Sequence, residues 1–146
     1  MAHACQWIKN KEKSISIVCC LYATAPFIKS EDLKKALQII QDGNWRYVFS
    51  AAEYPSSIYR SFFKDNNGGV KMLFPDMFNK RTQDLPTSYH DAGMFYMGTN
   101  KSWEEKIKTF ETHSFPLIIP SYRVQDIDTV EDWERAEHMA QSILQK

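Results

Sequence analysis

Asp126 and Asp128 stand two residues apart in the stretch "VQDIDTVEDW", residues 124–133. In extended backbone, residues i and i+2 project to the same side. Both carboxylates can then face one point, where their like charges repel unless something offsets the cost. A divalent cation would do so. Mg²⁺ is commonly held by one or two carboxylates together with phosphate oxygens of a substrate, which suits a phosphate enzyme. The alternative is a solvated helix start, with Asp128 capping the helix behind it and Asp126 in water. Thr129 can also cap, and Glu131 and Asp132 already complement the helix dipole. Both readings stay open on spacing alone.

Two further stretches hold polar groups that can meet a ligand. "TAPFIKSEDL", from Thr24, follows an apolar run and precedes a helical pattern. Loops at the carboxyl ends of parallel strands are where α/β sheets bind ligands. Thr24 can donate a hydroxyl hydrogen bond there, or the segment is an ordinary loop. "KRTQDLPTSYHDAGMFY", Lys80 to Tyr96, collects Arg81, Gln83, Asp84, Tyr89, His90 and Asp91. Arginine can fork onto a carboxylate or phosphate, and His90 can carry a proton. A solvated loop with a structural histidine is the competing reading. His3, His113 and His138 show no partner spacing.

The elements around these stretches follow from hydrophobic period. Residues 2–11 read as a short helix. "SISIVCCLY", Ser14 to Tyr22, is apolar and nearly continuous at its end, the pattern of a strand buried on both faces. Cys19 and Cys20 are then buried thiols. Ser30 is expected to cap a helix with Leu33, Ala36, Leu37 and Ile40 on one face, which Gly43 ends. "WRYVFSAAE" is the next strand, so the unit predicts a parallel sheet with a right-handed crossover. "NNGG" at 66–69 predicts a hairpin. Residues 75–92 read as a polar loop, Ala92–Gly98 as a strand, "NKSWEEKIKTF" as a helix and "FPLIIP" as a short buried strand. Thr129 or Asp128 opens a last helix with Trp133, Ala136, Ala140 and Ile143 on one face. The class is α/β, a single domain over 1–146, with an antiparallel excursion at about 55–92.

Composition narrows the function. With 146 residues, 43% hydrophobic and 25% charged, the chain can bury a real core. Zero formal net charge gives no global field to gather nucleic acid or an acidic membrane. No apolar run approaches the ~20 residues of a membrane span. Three cysteines make no even framework and no C-x-x-C metal pair, which points to the cytoplasm.

Taken together and in order, the three stretches resemble the CMP-sugar synthetases, the acylneuraminate cytidylyltransferase family. "ATAPFIKSEDL" resembles the family's "QPTSPLR" loop. "RTQDLPTSYHDAGMFY" resembles its R-x-Q-D-L-P…Y…G-x-x-Y segment, and "QDIDTVEDWERAE" its DID-x-x-x-DW-x-x-AE ending. The match spans about residues 14–140. "YATAPF" and "HDAG" resemble the branch that acts on pseudaminic acid.

The resemblance implies a partial Rossmann-like nucleotide-diphospho-sugar transferase fold whose antiparallel excursion pairs two subunits of a homodimer. It implies coupling of CTP to a nonulosonic acid, with release of pyrophosphate and with Mg²⁺ as cofactor. Asp126 and Asp128 would be the metal carboxylates and catalytic groups. Tyr22 and Thr24 would meet the sugar, and Arg81 and Gln83 would reach the neighbouring site. Tyr22 stands where sialic-acid relatives carry Gln, so another acid sugar such as sialic acid is an alternative substrate.

One family feature is not found. The family opens with a Gly-rich basic loop after its first strand, which holds the triphosphate on backbone amides and cations. The five glycines here are Gly43, Gly68, Gly69, Gly93 and Gly98, and none lies in such a loop. The N-terminal nucleotide-binding portion is therefore expected to be missing, the strand at 15–22 to expose an edge, and catalysis by this chain to be impaired. A non-catalytic remnant or pairing module is the alternative.

Overall fold

A computed structural model describes residues 1–11 and 14–144. These fall into two compact units, one of 1–52 with 91–146 and one of 53–90.

The first unit is built on a four-stranded sheet. Its strands are β1 (Ile17–Leu21), β2 (Tyr47–Glu53), β5 (Tyr89–Thr99) and β6 (Ser114–Ile118), in the order β1-β5-β2-β6. The intervening β3 (Phe62–Lys64) and β4 (Val70–Met72) belong to the second unit. The α-helices among the described residues are α1 (Ala2–Lys9), α2 (Ser30–Asp42), α3 (Asn100–Glu104) and α4 (Val130–Leu144).

The sheet is mixed where a parallel one is expected. β2 and β6 do pair in parallel, with Tyr47 opposite Ser114 and Ala51 opposite Ile118. β1 and β2, however, are not neighbours. β5 lies between them and runs antiparallel to β1, with Ile17 opposite Thr99 and Leu21 opposite Phe95. It also runs antiparallel to β2: the Thr99 amide donates to the Arg46 carbonyl, and Ser50 meets Met94 and Phe95. Local periodicity reveals strands but not their partners, so this insertion was not foreseen.

β2 is the strand buried on both faces; its first six residues are all buried. β1 is an edge strand instead, and none of its five residues is buried. Cys19 is accordingly exposed and Cys20 half-buried, against the expectation of two buried thiols; the fully buried cysteine is Cys5 in α1. The exposed edge expected at 15–22 is present, with Leu21 52% exposed.

Val48, Ala52, Met94, Phe95, Leu117 and Ile119 form the centre of the core, and α2 adds Ala36 and Ile40. Gly98 is required there, because the Tyr47 ring lies over it and a Cβ would come within 2.5 Å of that ring. α2 begins at Ser30 with Lys29 as its cap residue. The Lys29 amide is taken by the Asp32 carboxylate at 3.0 Å, so the third helical residue, not Ser30, satisfies the helix start.

α3 stops at Glu104, well short of the helix predicted through Phe110. Lys106 takes φ 53°, and the Tyr47 hydroxyl reaches the carbonyls of Ser102 and Ile107 at 2.9 and 3.0 Å. A tertiary hydrogen-bond partner thus replaces the next helical turn. α4 begins where predicted, and of its predicted face Ala136 is buried and Ala140 and Ile143 are half-buried, while Trp133 departs from it at 56% exposed.

In the second unit, β3 and β4 form the expected antiparallel hairpin. Asp65 accepts the Asn67 and Gly69 amides at 2.9 and 2.7 Å, and Gly68 takes φ 86° at the turn. The Arg60 guanidinium donates to the carbonyls of Phe78 and Lys80, which orders the segment read as an open loop. Among the described residues, no helix is long and apolar enough to cross a membrane.

Candidate functional site around Asp126

The carboxyl ends of the mutually parallel strands β1, β2 and β6 lie at one end of the sheet. Tyr22 follows β1, and its amide donates to the Met94 carbonyl at 3.0 Å. Met94 follows Gly93, and Gly93 faces Asp126: a Cβ built on Gly93 would sit 3.0 Å from Asp126 Oδ2. Three segments distant in sequence therefore meet here.

The backbone of β5 is deformed to allow this. Gly93 takes φ 62°, a conformation that favours glycine. The Ser50 hydroxyl, fully buried on β2, accepts both the Met94 and the Phe95 amides at 3.0 and 3.1 Å. Two residues of β5 thus oppose one of β2, the arrangement of a bulge. Asp91 holds the other side, accepting the Gly93 amide at 3.0 Å and the Tyr96 hydroxyl. Burial and then that hydrogen bond push the Tyr96 phenol far above its usual range. Tyr96 also lies 5.5 Å from the Tyr22 ring and stacks on Phe49, which meets Phe110 edge-on.

The acidic loop is fastened at both ends. Upstream, Arg123 is buried and forks onto Asp32, with Nη1 to Oδ2 at 2.8 Å and Nη2 to Oδ1 at 3.0 Å. Burial raises the Asp32 carboxyl, but hydrogen bonds from Arg123 and the Lys29 amide outweigh it and hold the group below its ordinary range. The Arg123 guanidinium is shifted up by the same bond. Downstream, Thr129 caps α4. Its hydroxyl accepts the Asp132 amide at 3.2 Å, and Asp132 Oδ2 accepts the Thr129 amide at 3.0 Å. Hydrogen bonding from Thr129 lowers the Asp132 carboxyl. Gln125 links the two ends, donating to the Asp126 carbonyl and to Asp132.

This resolves the capping question. Thr129 and Asp132 close the helix start, so Asp128 is not the cap. Among the described residues, its exposed carboxylate takes no hydrogen bond or ion pair. Asp126 is half-buried, and its Oδ1 accepts the Ile127 amide at 3.0 Å. No group of three or more His, Cys, Asp or Glu suited to a metal occurs among the described residues.

Tyr22, Thr24, Asp126 and Asp128 all belong to the first unit, Tyr22 exposed and Thr24 half-buried. Arg81 and Gln83 belong to the second, both exposed, with Arg81 paired to Asp84 at 3.1 Å. Gly93, Asp91, Ser50, Arg123 and Asp32 were not singled out in these roles from sequence. A glycine inside a strand pattern was the one available signal, since it often marks a bulge or close backbone approach.

Comparison with known proteins completes the picture. No protein-family model matches the chain. It is 37% identical over 134 residues to the pseudaminic acid cytidylyltransferase of Campylobacter jejuni, a match covering 92% of this chain and 58% of that protein. The chain is a homologue of the pseudaminic acid cytidylyltransferases. A two-activity relative from Helicobacter pylori, pseudaminic acid cytidylyltransferase and UDP-2,4-diacetamido-2,4,6-trideoxy-beta-L-altropyranose hydrolase, is 38% identical over 128 residues, 87% of this chain and 24% of that protein. The N-acylneuraminate cytidylyltransferase of Oncorhynchus mykiss is 27% identical over 124 residues, 84% of this chain and 28% of that protein. The chain thus spans 58% of the length of the pseudaminic acid cytidylyltransferases of Campylobacter jejuni that it matches.

Proposed function

We propose that this chain is the part of a cytoplasmic pseudaminic acid cytidylyltransferase that carries the acidic loop and the sugar-facing strand ends. In that reaction an oxygen of the sugar's anomeric hydroxyl bonds to the α-phosphorus of CTP. The bond from that phosphorus to the β-phosphate bridging oxygen breaks, pyrophosphate leaves, and the hydroxyl proton passes to a base. The observation that carries the reading is the identity to named pseudaminic acid cytidylyltransferases over 92% of this chain.

Asp126 and Asp128 are the residues that would hold Mg²⁺. The fit is supported by the Asp126 oxygens left after the single Ile127 hydrogen bond, and by Asp128, which capping does not occupy. Two carboxylates suit a hard cation whose other positions are filled by water and phosphate oxygens. When bound, the ion offsets charge on the phosphate oxygens. Tyr22 and Thr24 orient the sugar. Triphosphate binding is assigned to the part of the Campylobacter relative that lies outside the matched region.

The same reading makes the chain part of a homodimer paired through the second unit, with Arg81 and Gln83 serving the neighbour. Phe62, Phe63, Val70 and Phe78 support it, each more than half exposed. Phe63→Lys should then shift the sedimenting species from dimer to monomer.

The direct test mixes the chain with CTP, Mg²⁺, pseudaminic acid and the part of the Campylobacter relative outside the matched region. Pyrophosphate and CMP-sugar should form, and Asp126→Asn or Asp128→Asn should abolish both. Turnover indifferent to both substitutions, or faster with another acid sugar, would overturn this assignment. Folded components that never turn over would favour a non-catalytic pairing module.

A further inference from the structure

The bulge in β5 has a geometry that strand pairing alone does not require. Gly93 is held at φ 62° by Asp91 from one side, while Ser50 takes the next two amides from the other. The result is a patch of backbone without a side chain, set directly against Asp126. A Cβ at 93 would lie 3.0 Å from Oδ2 and 3.4 Å from Cγ of that residue. Asp126 Oδ1 is meanwhile engaged by the Ile127 amide at 3.0 Å. The carboxylate is therefore held by a hydrogen bond at one oxygen, while the other lies where a side chain at 93 would press on it.

We infer that Gly93 and Asp91 are positioning residues that set the orientation of the Asp126 carboxylate. Gly93 supplies room that no other residue leaves, and Asp91 holds the Gly93 amide so that this room stays beneath Asp126. Neither is placed to touch the reacting atoms; both act through Asp126. Two features make the roles separable. Asparagine at 91 keeps an oxygen that can accept the Gly93 amide, whereas alanine does not. Alanine at 93 adds only the methyl carbon that meets Asp126, along with the strain of a positive φ. The inference deepens the proposed function, yet its first readout does not depend on that function.

The test is NMR on the full chain. The Ile127 amide reports the bond to Asp126 through its proton shift and its hydrogen-exchange protection. Gly93→Ala and Asp91→Ala should each shift the Ile127 amide and lower its protection at least tenfold, and Asp91→Asn should restore both. A role in stability alone would lower the melting temperature while leaving the Ile127 amide unchanged in the folded variants, and that result overturns the inference. Should Gly93→Ala not fold, the comparison of Asp91→Ala with Asp91→Asn, at an exposed position, decides the matter. Mn²⁺ is then added as a separate arm. Broadening at 126 and 128 in the wild type that weakens in Gly93→Ala or Asp91→Ala supports positioning for a cation. An Ile127 amide that responds to the substitutions without any Mn²⁺ broadening keeps the positioning role and removes the metal reading.

Discussion

Replacing Arg123 by alanine should unfold the chain far below the wild-type temperature. The guanidinium is 7% exposed and makes two short bonds to Asp32, itself mostly covered. Removing one member of a buried ion pair leaves the other charge uncompensated, at a cost of about 3–5 kcal/mol. At about 2–4 °C per kcal/mol for a domain of this size, Tm should fall by about 6–20 °C. Thermal unfolding followed by circular dichroism measures it. Arg123→Met with Asp32→Leu should recover most of the loss, because a well-packed apolar pair can replace a buried ionic one. Acid adds a second check. The folded Asp32 carboxyl is depressed, since the Arg123 and Lys29 bonds outweigh the effect of burial. Its stabilisation is full above the unfolded value of about 3.9 and is lost as pH falls through the lower, folded value. The Tm gap between wild type and Asp32→Asn should thus be complete at about pH 6 and close below about pH 4. An Arg123→Ala protein melting within about 2 °C of wild type, against the range expected from buried pairs, would refute the reasoning.

Three more outcomes follow from the geometry. Thr129→Ala should cost about 1 kcal/mol and raise hydrogen exchange at the Asp132 amide, whereas Asp128→Ala should change stability by less than about 0.5 kcal/mol, because only Thr129 caps α4. Ser50→Ala strands the Met94 and Phe95 amides in the core, so denaturant unfolding should show a loss of about 1–3 kcal/mol. Iodoacetamide should modify exposed Cys19 while sparing buried Cys5, as peptide mass spectrometry can read. Burial and then the neighbouring Cys20 raise the Cys19 thiol, so its labelling should speed up as pH rises above neutrality.

What could be read in advance was local. The helix of α2, the hairpin at Gly68 and Gly69, and the start of α4 each carry their signal within a dozen residues. The acidic pair was legible for the same reason, as two charges two residues apart. What escaped was everything set by partners far along the chain. Continuous apolar character at 17–21 is shared by an edge strand and a central one, and only the position of β5 distinguishes them. Arg123 and Asp32 lie 91 residues apart, and neither shows any local spacing that would mark it as half of a buried pair. The early end of α3 depends on a hydroxyl from Tyr47, 55 residues upstream of Ser102. Gly93 reads only as lying outside a phosphate loop, and nothing near it in sequence reveals that Asp126 would lie against it.

The insertion of β5 between β1 and β2 bears on how the molecule is made. Both flanking strands leave the ribosome before the one that joins them, so each emerges with an unsatisfied border. The acidic loop arrives later still, behind β6. Until that loop is made, Asp126 is not there to lie against Gly93. Translation thus delivers the hollow before the carboxylate that lies against it, and β5, β6 and the loop behind them must all be synthesised before the two can meet.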